Sequence, residues 1–240
     1  MINGFADFKM SNSGEISDCY RAKSTSQLST EELANIHLDI NRKWHCLTDG
    51  NISSNIYDLN EAVNAAFNNA RTEQYVPLLA CFAMLDQIGS LYQRTDIKSH
   101  YNNGIKKAFD SYSNFKSPDD LEAIVTLRHG LLHNGSLTCI NSRTETKVFF
   151  RMIKNSKKIY TPPKKQWDGI YHDSMSDFTS LIDLRELHNT TKEIISECKR
   201  LLQDKKLEIK VCAPRELFFK YLFLSPRNED INSLAVSATL

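Results

Sequence analysis

Apolar positions along the chain recur mostly at helical spacing. Leu33, Ile36, Ile40, Trp44 and Leu47 share one face, and residues 49–51 (Asp-Gly-Asn) end that run. A second pattern over 56–71 aligns Leu59, Val63, Ala66, Phe67 and Ala70. Leu78, Cys81, Phe82, Leu85, Ile88, Gly89 and Tyr92 form a broad apolar face behind Pro77, as a central bundle helix requires. Residues 101–115 predict a short helix with Lys106 and Lys107. The run from Leu121 through Ile124, Val125 and Leu127 predicts another, and residues 178–204 predict the longest.

Start and stop signals agree with these periods. Ser29-Thr30-Glu31-Glu32 has the form of a capping box. Ser117-Pro118-Asp119-Asp120 joins a capping serine to a first-turn proline and two acids at the positive end of the helix dipole. The period changes over 137–153, where β-branched and aromatic runs flank a polar turn, predicting a β-hairpin inserted between helices. Residues 207–211 alternate as a strand that would join it. Pro214 opens a short aromatic helix carrying Phe218, Phe219, Tyr221 and Phe223. The expectation is a mainly α fold: a flexible arm over 1–28, one helical domain over 29–224, and a disordered tail over 225–240.

Composition narrows the class. At 240 residues with 41% apolar and 25% charged residues, the chain suits a globular protein, and its net charge of +1 makes any electrostatic argument local. No apolar run approaches a membrane span, and the start lacks the form of a secretory signal. The six cysteines are scattered without a C-x-x-C pair, which predicts reduced thiols and a cytoplasmic protein with no metal or cofactor. His37 and His45, eight apart with no third ligand nearby, read as packed histidines.

Candidate chemistry gathers in residues 127–136, Leu-Arg-His-Gly-Leu-Leu-His-Asn-Gly-Ser. His129 and His133 share a helix face, but the Glu of H-E-x-x-H is missing, and no third ligand is apparent. Phosphodiester cleavage without metal needs a proton shuttle near neutral pH and a fixed cation over the charge building on phosphorus. His133 and Arg128 are of those types. On a straight helix, however, positions five apart diverge by about 140°. Convergence therefore requires the helix to deform near Gly130, the arginine to swing round, or two copies to share the site. A structural reading stands beside this one: Arg128 caps the last carbonyls and Gly135 turns the corner. Asp86, at the edge of its helix face, is either an orienting partner for an arginine or histidine or a solvated carboxylate.

Residues 143–165 hold eight Lys or Arg against one acid, a local charge of +7. Arg143, Lys147, Arg151, Lys154, Lys157 and Lys158 are candidate RNA-backbone contacts. A protected, solvated edge strand explains such lysines equally well.

Arg128-His129-Gly130-Leu131-Leu132-His133 resembles the R-x(4–6)-H motif of the HEPN superfamily, with a polar residue directly after the arginine and Asn134-Gly135 trailing. The resemblance covers residues 56–206. It implies a HEPN-like helical bundle and a metal-independent endoribonuclease working as a homodimer with facing motifs. The products would be a 2′,3′-cyclic phosphate and a 5′-hydroxyl. On that pattern Arg128 stabilises the transition state, His133 transfers protons, His129 assists, and Asn134 and Asp86 support them. Many members act in antiphage defence or toxin–antitoxin growth arrest, which adds an antitoxin or activator to the expected partners. Other members only bind RNA or nucleotides, so a non-catalytic module binding RNA, a nucleotide or a protein is the alternative.

Overall fold

The computed structural model describes residues 20–226. Its elements begin with α1 (Thr30–His37), β1 (His45–Cys46), β2 (Gly50–Ser54), α2 (Asn55–Phe67), α3 (Tyr75–Leu91), β3 (Tyr92–Arg94), α4 (Gly104–Tyr112) and α5 (Pro118–Asn134). There follow β4 (Thr138–Ile140), β5 (Lys147–Ile153), β6 (Tyr160–Thr161), β7 (Ser180–Asp183), α6 (Leu184–Gln203), β8 (Leu207–Ile209), α7 (Pro214–Tyr221) and β9 (Leu222–Pro226). Two compact units emerge, one from the residues up to Tyr57 with those from Cys212 onward, the other from Asp58 to Val211.

In the first unit, Ser29 and Glu32 cap α1 reciprocally, each side chain accepting the other's backbone N–H. The helix stops at His37 and does not run on to Leu47. Asp39 accepts the N–H of Asn41 at 3.0 Å, a local turn that competes with helix continuation. β1 and β2 then form a hairpin with His45 opposite Ile52, and β9 adds to β2 with Ser54 opposite Leu222. Ser225 and Pro226, expected in the tail, therefore belong to a strand. Tyr20 and Leu28, expected in the arm, are buried. The rest of the arm and tail, 1–19 and 227–240, lies outside the described residues. His37 and His45 are both buried in this unit.

In the second unit, α3 buries residues on most of its circumference, among them Leu78, Phe82, Met84, Leu85 and Ile88, and so lies inside. Helix α4 approaches it backbone to backbone: a Cβ on Gly89 would stand 1.7 Å from the carbonyl oxygen of Gly104. Helix α6 contributes Leu187, Ile194, Ile195, Cys198 and Leu201. His188 is buried with them, 2.9 Å from Asn60 Oδ1 of α2. That carbonyl oxygen can only accept, so Nε2 carries the proton.

Three sheets overturn the expectation of a mainly α, HEPN-like bundle: the fold is mixed α/β, about 48% helix and 16% strand. β4 and β5 pair antiparallel with Thr138 opposite Phe149, within the span predicted as a hairpin. They belong to a four-stranded sheet of order β4-β5-β7-β6, in which β7 runs parallel to β5. The helix expected from Phe178 consequently starts at Leu184, where Asp183 accepts the N–H groups of Arg185 and Glu186. β8 does not join this sheet but pairs with β3, Tyr92 opposite Ile209. Strands of two to five residues make up most of these sheets, too short for alternation to outweigh the helical pattern around them. Among the described residues, no helix is long and apolar enough to cross a membrane.

Candidate functional site

Helix α5 begins as its sequence predicts, with Ser117 accepting the N–H of Asp120 and Pro118 in the first turn. It remains α-helical through Asn134. Gly135 then takes a left-handed conformation (φ 63°). Its N–H reaches the Leu131 carbonyl at 2.9 Å, and the N–H of Ser136 reaches that of Gly130 at 3.2 Å. These bonds occupy the Gly130 and Leu131 carbonyls, while the Arg128 side chain points elsewhere. Gly130 does not interrupt the helix. It gives room to β4, since a Cβ there would lie 2.9 Å from Cys139 Cβ.

The uninterrupted α-helical geometry of α5 separates Arg128 from His133 by about 140° around the axis. The Arg128 guanidinium turns to α3, with Nη2 3.1 Å from Asp86 Oδ2, both side chains partly open to solvent. His129 and His133 instead stand side by side, with ring centroids 4.4 Å apart. Both imidazoles are exposed, as are Leu132 and Asn134 beside them. The structure thus brings together His129 with His133, and Arg128 with Asp86. Within one copy it does not bring Arg128 to His133.

The basic residues fall into separate groups. Arg143 sits in the β4–β5 turn, whose Asn141 and Thr144 both donate to Glu122 near the start of α5. That turn is about 16 Å along the helix axis from His133. Lys147 donates to the Asp168 carbonyl at 2.6 Å. Arg151 is exposed, its guanidinium 4.3 Å from the Phe149 ring centroid. Lys154 pairs with Glu73 at 3.0 Å. Lys157 and Lys158 follow on the same loop and have no ion pair among the described residues.

Two tyrosines that the hydrophobic pattern does not single out reach the corner after α5. Tyr75, at the start of α3, places its hydroxyl 3.4 Å from the Gly135 carbonyl. Tyr171, in the loop before β7, places its hydroxyl 3.0 Å from Thr138 Oγ1. The two residues are 43% and 67% exposed. The same loop holds His172 against Asp168 at 2.8 Å, in contact with Phe178. The only sequence signal for Tyr171 is an aromatic pair, Trp167 and Tyr171, in an otherwise polar stretch.

Among the described residues, no group of three or more His, Cys, Asp or Glu side chains is placed to hold a metal ion. Compared with family models, curated proteins and solved structures, the chain gives no match.

Proposed function

We propose that the chain is a metal-independent endoribonuclease whose site lies at the end of α5, with Arg128 and His133 acting across two copies. The exposed imidazole pair of His129 and His133 carries this reading. Two exposed imidazoles at a helix end are side chains of the kind that carry general acid–base chemistry, and neither is buried. The resemblance of residues 128–133 to the HEPN motif supports it. The divergence of Arg128 from His133 makes a facing second copy the simplest source of the cation.

In the proposed reaction His133 accepts the proton of the RNA 2′-hydroxyl, and that oxygen attacks the adjacent phosphorus. The bond to the 5′-oxygen breaks, and the leaving oxygen takes a proton from a protonated imidazole. The products are a 2′,3′-cyclic phosphate and a 5′-hydroxyl. Arg128 of the facing copy offers two parallel donors to the non-bridging oxygens as charge accumulates. His129 assists by exchanging protons with His133, and Asn134 is a further donor at the same exposed end. Arg151, Lys154, Lys157 and Lys158 serve the RNA backbone, with Arg143 and Lys147, at the β4–β5 turn, more remote. A role in antiphage defence or growth arrest, with an antitoxin or activator, belongs to the same reading.

Incubation of the protein with labelled RNA in EDTA, beside His133→Ala, tests this. Cleavage by the unsubstituted chain alone, leaving cyclic phosphate ends, is the expected result. A loss of about 10²- to 10⁴-fold is expected on removing the proton-transfer group. Equal activity in both proteins would refute the assignment. The pairing of Arg128 with Asp86 favours a second reading, in which the guanidinium is structural and the unit binds RNA without cutting it.

A further inference from the structure

The two imidazoles that carry the proposed proton transfer are also a pair of metal donors. Positions four apart on an α-helix are offset by about 40° around the axis and one turn along it, so their side chains meet on one face. Helix α5 runs unbroken from Pro118 through Asn134, which fixes that offset for His129 and His133. Their ring centroids lie 4.4 Å apart. With metal–nitrogen bonds of about 2.0–2.1 Å, two imidazoles on one tetrahedral zinc ion have centroids about 5 Å apart. Both rings are exposed, so small rotations about their side-chain bonds cover the difference.

Both rings also keep their nitrogens available. His172 is held by Asp168 and His188 by Asn60, whereas neither ring of the α5 pair takes part in a hydrogen bond or an ion pair among the described residues. Imidazole suits zinc, nickel and copper, and leaves magnesium and calcium to oxygen ligands. A cage of three or more side chains is lacking among the described residues. Two donors still anchor an ion whose remaining positions are filled by water, which makes the site open and exchangeable and not structural.

We infer that His129 and His133 chelate zinc, and that the bound ion holds the ribonuclease off. Each imidazole gives the metal the nitrogen lone pair with which it would accept a proton, and the metal displaces any proton already there. Removal of the ion restores the pair. The blocking step rests on the ribonuclease reading of α5, whereas the zinc site itself does not.

The test titrates the full chain with Zn²⁺ in competition with a chromophoric chelator. His129→Ala and His133→Ala should each weaken binding by about 10²-fold or more, because the second donor no longer acts within the same molecule. Combining His133→Ala with Asn134→His keeps two imidazoles but sets them five positions apart, about 140° round the helix. That variant should bind as poorly as the alanine variants, with unchanged melting. His172→Ala should bind like the unsubstituted chain. Co²⁺ at the site should show ligand-field bands without the thiolate charge-transfer band of a cysteine ligand. Saturating zinc should slow RNA cleavage by the same factor as His133→Ala, about 10²- to 10⁴-fold, and EDTA should reverse it. Absence of zinc binding, or affinity indifferent to the spacing variant, would overturn the inference. So would full cleavage with the pair occupied. Zinc bound at the pair of a protein that cuts no RNA in EDTA would end the ribonuclease reading and leave the metal site standing. Cleavage in EDTA with no zinc bound at the pair would do the reverse.

Discussion

Arg128 of α5 directs its guanidinium to Asp86 of α3, 3.1 Å away across 42 residues of sequence, and not to His133 on its own helix. The carboxylate fixes where the cation points. Both side chains are partly solvated, 28% and 37% exposed, so the pair contributes roughly 0–1 kcal/mol to stability. Its larger consequence lies in positioning.

Asp86→Asn therefore separates the two roles of the pair. Melting should fall little. Cleavage should drop by about tenfold to a hundredfold through loss of orientation, with the larger effect on kcat than on KM. Arg128→Ala, which removes the cation itself, should cost about 10²- to 10³-fold. If Asp86→Asn lowers the melting temperature and leaves both constants unchanged, the pair is only a structural link between α3 and α5.

Lys157 and Lys158 offer an electrostatic prediction. Lys154 is already neutralised by Glu73, whereas these two have no ion pair among the described residues. Replacing both with alanine should flatten the dependence of log K for single-stranded RNA on log salt by ~1.4. Lys154→Ala should change the slope less. An unaltered slope in the double variant would place the RNA path elsewhere. Both lysines would then be solvated loop residues.

Much of α5 was legible from local chemistry. The Ser117 cap, the first-turn proline and the left-handed Gly135 all act within a few residues, and each lies where its side chain or backbone freedom demands. The apolar face of α3 was equally plain. What the sequence could not show was partnership at a distance. Three-residue strands such as β3 and β8 carry no usable period, and only their mutual pairing defines them. The run from Leu33 to Leu47 kept helical spacing, yet Asp39 and the hairpin ended the helix early. Tyr75 and Tyr171 are separated by most of the second unit, so nothing local announces that both hydroxyls reach the turn after α5.

The contact between α3 and α4 predicts a sharp steric effect. A methyl group on Gly89 would collide with the Gly104 carbonyl, and one on Gly104 would come within 2.5 Å of Asp86 Oδ1. Gly89→Ala should force the helices apart and lower the urea midpoint, at a cost of about 1–3 kcal/mol or more. Gly104→Ala should in addition displace the carboxylate that holds Arg128, so cleavage should fall further than stability alone explains. Tolerance of alanine at Gly89 would mean that the two backbones do not approach so closely in solution.

His188 carries the pH prediction. Burial, with Lys192 nearby as a lesser cause, lowers its pKa to about 4 from the usual 6.5, and the neutral ring donates to Asn60. The unfolded chain thus binds a proton more readily than the folded one between those values. The stabilisation is fully present above pH 6.5 and is lost progressively as pH falls toward 4. Over that window the loss should be roughly 1–3 kcal/mol from this group. His188→Gln retains an amide donor for Asn60 but cannot titrate, so its stability should fall less steeply over the same range. Chemical denaturation at pH 7, 5.5 and 4.5 compares the two directly. Parallel declines would mean that His188 gains its proton in the folded state as easily as outside it, and that acid sensitivity comes from the carboxylates.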